Sequence, residues 1–194
     1  FSNKIMGKDK IVFDIETKNT FADVGGQKNV AKLDTSFIGA YSYNQDKYLS
    51  FHEKDIDKFG PILQNAGLVI GFAINRFDLP ALKRYYNFNL MALPRLDLLE
   101  EVELAYGHRV GLGILAEANL GIGKSGHGLD AIKYYNEGDF KALEDYCIQD
   151  VRVTRKLYEF IKDKGYLMIP KKFTNEVVKV PISLHEAELP ATLF

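Results

Sequence analysis

Apolar positions in the first half of the chain fall in short runs that predict strands with one helix among them. Those of the second half recur at helical spacing. Lys10 to Ile15, built on Ile11-Val12-Phe13, reads as the first strand. Thr35 to Tyr43 and Lys47 to Phe51 read as a hairpin turning at Asn44-Gln45-Asp46. Asp57 to Asn65 has helical periodicity and ends before Gly67. The unbroken apolar run Leu68-Val69-Ile70-Gly71-Phe72 fits a central strand buried on both faces.

Helices dominate after Phe72. Asp78 to Tyr86 carries Pro80 in its first turn, where a missing N–H is tolerated. Leu96 to Ala105 begins as a strand and finishes helical, and Gly113 to Asn119 and Leu129 to Tyr135 are short helices joined through the Gly-rich link Gly121 to Gly126. Asp139 to Lys162 is the longest helix, with the stripe Phe140, Leu143, Cys147, Val151, Thr154, Tyr158 and Ile161. Thr20 to Asp34 reads as a surface loop. Together these elements define an α/β class, a central mixed β-sheet flanked by helices, over residues 1–169. Residues 170–194, containing Pro181 and Pro190, read as a C-terminal extension, either packed or a docking tail.

The length of 194 residues suits one fairly large domain, and 46% hydrophobic with 26% charged residues is ordinary for a globular protein. No apolar stretch is long enough to span a bilayer and no secretory signal opens the chain, so a cytoplasmic setting is expected. Met6 is a candidate initiator. The single cysteine, Cys147, excludes an internal disulfide framework and a multi-cysteine zinc site. A net charge of −1 gives no overall basic signal, although Lys162, Lys164, Lys171, Lys172 and Lys179 gather towards the C-terminus and Lys83 and Arg84 follow Asp78. Such a charge run is usually a solvated face.

Candidate chemistry begins at Asp14-Ile15-Glu16-Thr17. Residues two apart on a strand share a face, so Asp14 and Glu16 project side by side, and their repulsion calls for a raised pKa or a divalent metal. Alone, this pair could equally be a solvated strand end. Asp78 sits in Asn75-Arg76-Phe77-Asp78, past the buried strand, where Asp often caps a helix and where α/β proteins also place ligands. Tyr146 and Asp150 lie four apart on the long helix and share a face beside the apolar stripe. Asp97 is another strand-associated carboxylate, suited to a solvated or capping role.

Taken in order, D-x-E, N-x-x-F-D and Y-C-x-x-D resemble the DEDD superfamily of 3′–5′ exonucleases. The tyrosine of Tyr146-Cys147-Ile148-Gln149-Asp150 is similar to the DEDDy branch, including proofreading exonuclease domains of family B DNA polymerases and stand-alone bacterial relatives. The resemblance spans about residues 10–165 and implies a ribonuclease H-like fold. It also implies two divalent cations, Mg²⁺ or Mn²⁺, held by Asp14, Glu16, Asp78 and Asp150. Asp14 would bridge both ions, Glu16 and Asp150 would bind the nucleophile-side ion, and Asp78 the second. Tyr146 would orient the attacking water. His127 does not have the spacing to Asp150 that the sister branch's histidine requires.

Thr17, through its backbone N–H, and Asn75, by hydrogen bonding, are candidate substrate-binding residues. The implied activity is metal-dependent removal of nucleotides from the 3′ end of single-stranded DNA, with RNA open, in partnership with a helicase or polymerase and without a membrane. Two other readings stand beside it: a catalytically silent nucleic-acid-binding or docking module of a replication or repair assembly, favoured by the proline-containing tail, and a ribonuclease H-like endonuclease.

Overall fold

The computed structural model describes residues 8–123, 126, 128–174 and 176–186. Its five-stranded sheet has the order β3-β2-β1-β4-β5, with β1 (Lys10–Thr17), β2 (Thr35–Ser42), β3 (Lys47–His52), β4 (Leu68–Gly71) and β5 (Arg95–Asp97). β1 lies at the centre, antiparallel to β2 and parallel to β4, and β4 runs parallel to β5. This is the mixed sheet of a ribonuclease H-like α/β fold.

Each face of β1 faces a different core, which is why its apolar run is continuous. Ile11, Phe13 and Ile15 pack with Phe59 and Leu63 of α1 (Phe59–Asn65) and with Leu79 and Leu82 of α2 (Asp78–Leu82). Val12 packs on the other side with Val151, Leu157 and Ile161 of α6 (Phe140–Lys164) and Leu115 of α4 (Leu112–Leu120). Asp14 and Glu16 continue the Val12 face, so the carboxylates point towards α6. α3 (Leu98–Tyr106) and α5 (Gly128–Glu137) complete the helical layer.

Local differences from the sequence expectations have physical causes. The helix expected from Asp57 is entered through a 3₁₀ turn over Glu53–Lys58, and the one expected to reach Tyr86 tightens to 3₁₀ over Lys83–Tyr85 after Leu82. The Thr20–Asp34 loop holds a 3₁₀ turn over Gln27–Lys32. Phe140, expected in the apolar stripe, is 49% exposed because it occupies the first turn of α6, beyond the part that crosses the sheet. The other stripe residues are buried.

An unexpected second sheet follows α6. Gly165 ends the helix in the left-handed conformation, φ 71°, and β6 (Tyr166–Pro170) pairs antiparallel with β7 (Val177–Pro181). Leu167, Ile169, Val180 and Ile182 are buried in the core shared with α6 and α4, and both amide groups of Asn119 in α4 bond to the backbone of Met168. Position 170, the expected start of the extension, therefore lies inside a packed hairpin. Beyond it Glu186 accepts from Tyr158, Lys10 and Lys162. Three of the five C-terminal lysines form ion pairs, Lys162 with Glu186, Lys164 with Asp163 and Lys171 with Glu176, while Lys172 and Lys179 lie over the rings of Phe173 and Tyr166.

Gly71 marks where β4 passes closest to its surroundings. A Cβ there would fall 2.1 Å from Cγ2 of Ile74 and 3.0 Å from the carbonyl of Phe13. Gly71→Ala is therefore expected to destabilise the fold by about 3 kcal/mol through overpacking, read as a lower denaturation midpoint with an unchanged m-value. A midpoint within error of wild type would show that the backbone at this position yields freely.

Candidate active site

Pairing of β1 with β4 ends at Val12, opposite Ile70, although β1 continues to Thr17. The two strands diverge there, and the backbone of β1 is left without a strand neighbour on that side. Asp78 takes its place: its Oδ1 accepts from the amide of Ile15 at 3.1 Å, and the residue is 2% exposed. Helix α2 begins at Asp78, which thus ties its first residue to the end of the central strand.

The loop that delivers Asp78 is held by Asp97. That carboxylate accepts from the amides of Ala73 and Asn75, at 2.8 and 2.9 Å, and also caps α3 through Leu99. Its capping role agrees with the sequence expectation, but it is buried rather than solvated. Ala73 adopts φ 66°, a left-handed conformation that two fixed neighbouring amides make tolerable.

Helix α6 supplies the opposite wall. It can approach β1 and β2 closely because Gly39, the antiparallel partner of Asp14, has no side chain: a Cβ there would meet Cys147 Sγ, Ile148 Cδ1 and Val151 Cγ2 at 3.1–3.2 Å. Cys147 is fully buried, and its thiol donates to the carbonyl of Asp14 at 3.5 Å and to its Oδ2 at 3.7 Å. Tyr146 and Asp150, one helical turn apart, stand beside it on α6. Asp14, Glu16, Thr17, Tyr146 and Asp150 line one cleft of about 310 Å³, and Asp78 backs it through Ile15.

The electrostatics of this cluster are those of negative charge held together. Burial, then the charges of Asp78, Glu16 and Asp150, hold the Asp14 carboxyl well above the usual range. Burial and the charges of Asp150 and Asp78 do the same to Glu16. Asp78 is pushed up to about 8, chiefly by burial and further by Asp97, against the downward pull of its backbone hydrogen bonds. Burial and the charges of Asp150, Glu16 and Asp14 raise the Tyr146 phenol, so it is a proton donor at neutral pH. The Cys147 thiol is raised by burial and by Asp14, and stays protonated.

Oxygen donors from Asp14 and Glu16 lie within 4.8 Å of each other and of Cys147 Sγ, a spacing that can hold a metal ion. The carboxylate-rich set suits a hard dication such as Mg²⁺ or Mn²⁺, which would relieve the repulsion that raises these pKa values. The protonated, hydrogen-bonded thiol is a poor competitor.

Asn75 corrects the expectation placed on it. Its amide donates to Glu100 at 2.6 Å and its Oδ1 accepts from Arg95 at 2.6 Å, in a separate cleft along β5 and α3. Thr17 does reach the active-site cleft, next to a register shift in the pairing of β1 with β2. Of the apolar walls, Phe77 could be read from the motif Asn75-Arg76-Phe77-Asp78 as a residue able to pack or stack at the site, whereas Phe21, Leu129 and Ile132 could not. Phe21 and Phe77 pack edge to face at 5.7 Å on one side, and Ile132 and the 67% exposed Leu129 of α5 face them. His127 lies outside the described residues.

Residues 11–162 match the RNase_H superfamily, and the chain belongs to it. No curated protein sequence matches the chain. Among solved structures, the family B DNA polymerase from the hyperthermophilic archaeon Pyrobaculum calidifontis shares the fold, with a TM-score of 0.60 at 16% identity. That match covers 81% of this chain and 25% of the polymerase, so the chain spans about a quarter of the polymerase's length. Superfamily and buried acidic cluster together support a nuclease. Among the described residues, no helix is long and apolar enough to cross a membrane.

A folded-state pKa above the unfolded one means that stability is full below the ordinary carboxylate range and is lost as pH rises through the raised value. The metal-free protein is therefore expected to melt at progressively lower temperature from about pH 4 towards pH 8, the value of Asp78. Mn²⁺ at pH 8 is expected to restore the loss, and Asp14→Asn to raise the metal-free melting temperature by a few degrees, ~1–2 kcal/mol. A lower melting temperature for Asp14→Asn in the absence of metal would show that the carboxylates do not repel one another.

Proposed function

We propose that this chain is a metal-dependent 3′–5′ exonuclease that hydrolyses phosphodiester bonds at the 3′ end of single-stranded nucleic acid, DNA in preference to RNA. The observation that carries this reading is the convergence of Asp14, Glu16, Asp78, Tyr146 and Asp150 at the carboxyl end of the central strand. Open α/β sheets take ligands at that edge, where diverging strands leave a crevice.

Asp14, Glu16, Asp78 and Asp150 would hold two divalent cations, Mg²⁺ or Mn²⁺. Bound there, the ions would supply a nucleophilic water at neutral pH and charge neutralisation at the leaving oxygen. Tyr146 acts as a donor, since its raised phenol keeps its proton, and orients the attacking water without serving as its base. The backbone of Thr17 offers its N–H to the terminal 3′ hydroxyl. Phe21, Phe77, Leu129 and Ile132 make an apolar slot for terminal bases, a sequence-tolerant mode of holding single strands. The recessed position of the carboxylates, with Glu16 and Asp78 buried, favours a frayed or single-stranded end over intact duplex. A helicase or polymerase that exposes such ends is the partner class this implies.

A time course on 5′-labelled single-stranded DNA and RNA of one sequence, with Mg²⁺, Mn²⁺ or chelator, tests the reading. A ladder shortening from the 3′ end is expected, absent with chelator and absent for Asp14→Ala. Asp150→Asn is expected to be as damaging as Asp14→Ala. Tyr146→Phe is expected to lower kcat by about 10- to 100-fold with KM near normal. Tight strand binding by the folded protein with no cleavage under either metal would instead favour the catalytically silent binding module. Cleavage indifferent to a blocked 3′ end would favour an endonuclease.

A further inference from the structure

A second cavity, of about 820 Å³, opens beside the active-site cleft and is lined by Ser36, His52, Glu53, Lys54, Tyr135 and Phe140. None of these residues belongs to the proposed machinery. Helix α5 runs past both: Leu129 and Ile132 line the cleft, and Tyr135, three residues on, lines the cavity. Three residues are roughly 4.5 Å of helix axis. On the sheet side, Phe37 pairs with Glu16, and its neighbour Ser36 lines the cavity. Lys18, two residues past Glu16, reaches across to Glu53 at 2.5 Å and lies 5.7 Å from the Tyr135 ring.

The lining is aromatic with polar groups at defined places. His52 and Phe140 stand edge to face at 6.3 Å, and Phe140 and Tyr135 at 6.0 Å. Glu53 is fixed by Lys18 and by the Tyr135 hydroxyl at 2.5 Å, which hold its carboxyl below its ordinary range and therefore ionised. Ser36 is 2% exposed, and among the described residues its hydroxyl has no hydrogen-bond partner. An unpaired buried hydroxyl is costly. Phe140 is half exposed at the cavity although a large apolar ring normally seeks burial.

We propose that this cavity is a nucleobase subsite: it takes a base of the substrate strand upstream of the scissile bond. A base offers the π-face that His52, Tyr135 and Phe140 can stack against, ring or exocyclic N–H groups for the Glu53 carboxylate, and a donor or acceptor for Ser36. The flanking phosphate would pass the exposed Lys54 at the rim. Position supplies the rest of the argument, since a strand whose 3′ end lies between Thr17 and Leu129 can cross α5 at Tyr135. The inference rests on the exonuclease reading for its strand polarity but not for its chemistry.

The test combines single abasic substitutions along a 5′-labelled oligonucleotide with Phe140→Ala and Ser36→Ala. In the wild type, an abasic site at one upstream position is expected to raise KM about tenfold. Phe140→Ala is expected to raise KM similarly on intact strands, to leave kcat and dinucleotide cleavage unchanged, and to abolish the penalty of that one abasic position. Ser36→Ala, which cannot collapse the ring lining, is expected to act in the same direction more weakly.

The same scan read as fluorescence anisotropy, with the full chain and no metal, tests the subsite even if no cleavage occurs, so failure of the exonuclease reading and failure of the subsite are separable. Saturable binding of a free nucleoside monophosphate, lost in Phe140→Ala while the abasic scan is flat, would keep the nucleobase assignment and make its source the released product. Abasic penalties that add to those of Phe140→Ala at every position, with no monophosphate binding, would overturn the proposal.

Discussion

The hydrogen bond from the Ile15 amide to Asp78 joins the two halves of the candidate active site, and most of the local architecture can be traced to it. A central strand that outruns its parallel neighbour must leave amides without a ladder partner, and buried amides are seldom left unpaired. Here the missing acceptor is a carboxylate placed at the first residue of the following helix. One bond thereby satisfies the strand, fixes the start of α2 and brings a third acidic group behind Asp14 and Glu16. Asp97 extends the same logic one strand further, clamping the loop between β4 and α2 through two amides while capping α3.

The other half of the site depends on how near α6 comes to the sheet. Gly39 removes the one side chain that would hold the helix off, and the buried thiol of Cys147 fills the gap while donating to Asp14. The result is a wall made from a helix face opposite a wall made from a strand end. Both walls are built from regular elements and not from loops, which suits groups whose spacing would have to match a substrate.

Much of this was legible in the residue pattern, because the relevant geometry is local. Period two put Asp14 and Glu16 on one face, and a four-residue step did the same for Tyr146 and Asp150. The apolar runs at Ile11 and Leu68 located the two central strands. What the pattern hid is non-local. Asn75 is drawn away by Arg95 and Glu100, side chains from β5 and α3 that no short window contains. The β6–β7 hairpin was obscured by its prolines: Pro170 and Pro181 read as breakers, yet both stand at strand ends, where a missing N–H is tolerated. The apolar slot was divided among Phe21, Phe77 and Leu129, each of which looks like an ordinary core residue when taken alone.

Burial sets the protonation states of carboxylates and phenol in the same direction but with opposite consequences. For Asp14, Glu16 and Asp78 the neutral form is favoured, so in the absence of a cation the cluster carries less negative charge than its composition suggests. A dication entering the site must displace those protons, and its apparent affinity therefore rises with pH. For Tyr146 the neutral form is also the one its proposed role requires, since a protonated phenol can donate to an oxygen that a phenolate would repel. The desolvation that makes the metal-free cluster unfavourable is thus the same property that raises the Tyr146 phenol, and a more open, better hydrated site would relieve the first only by weakening the second.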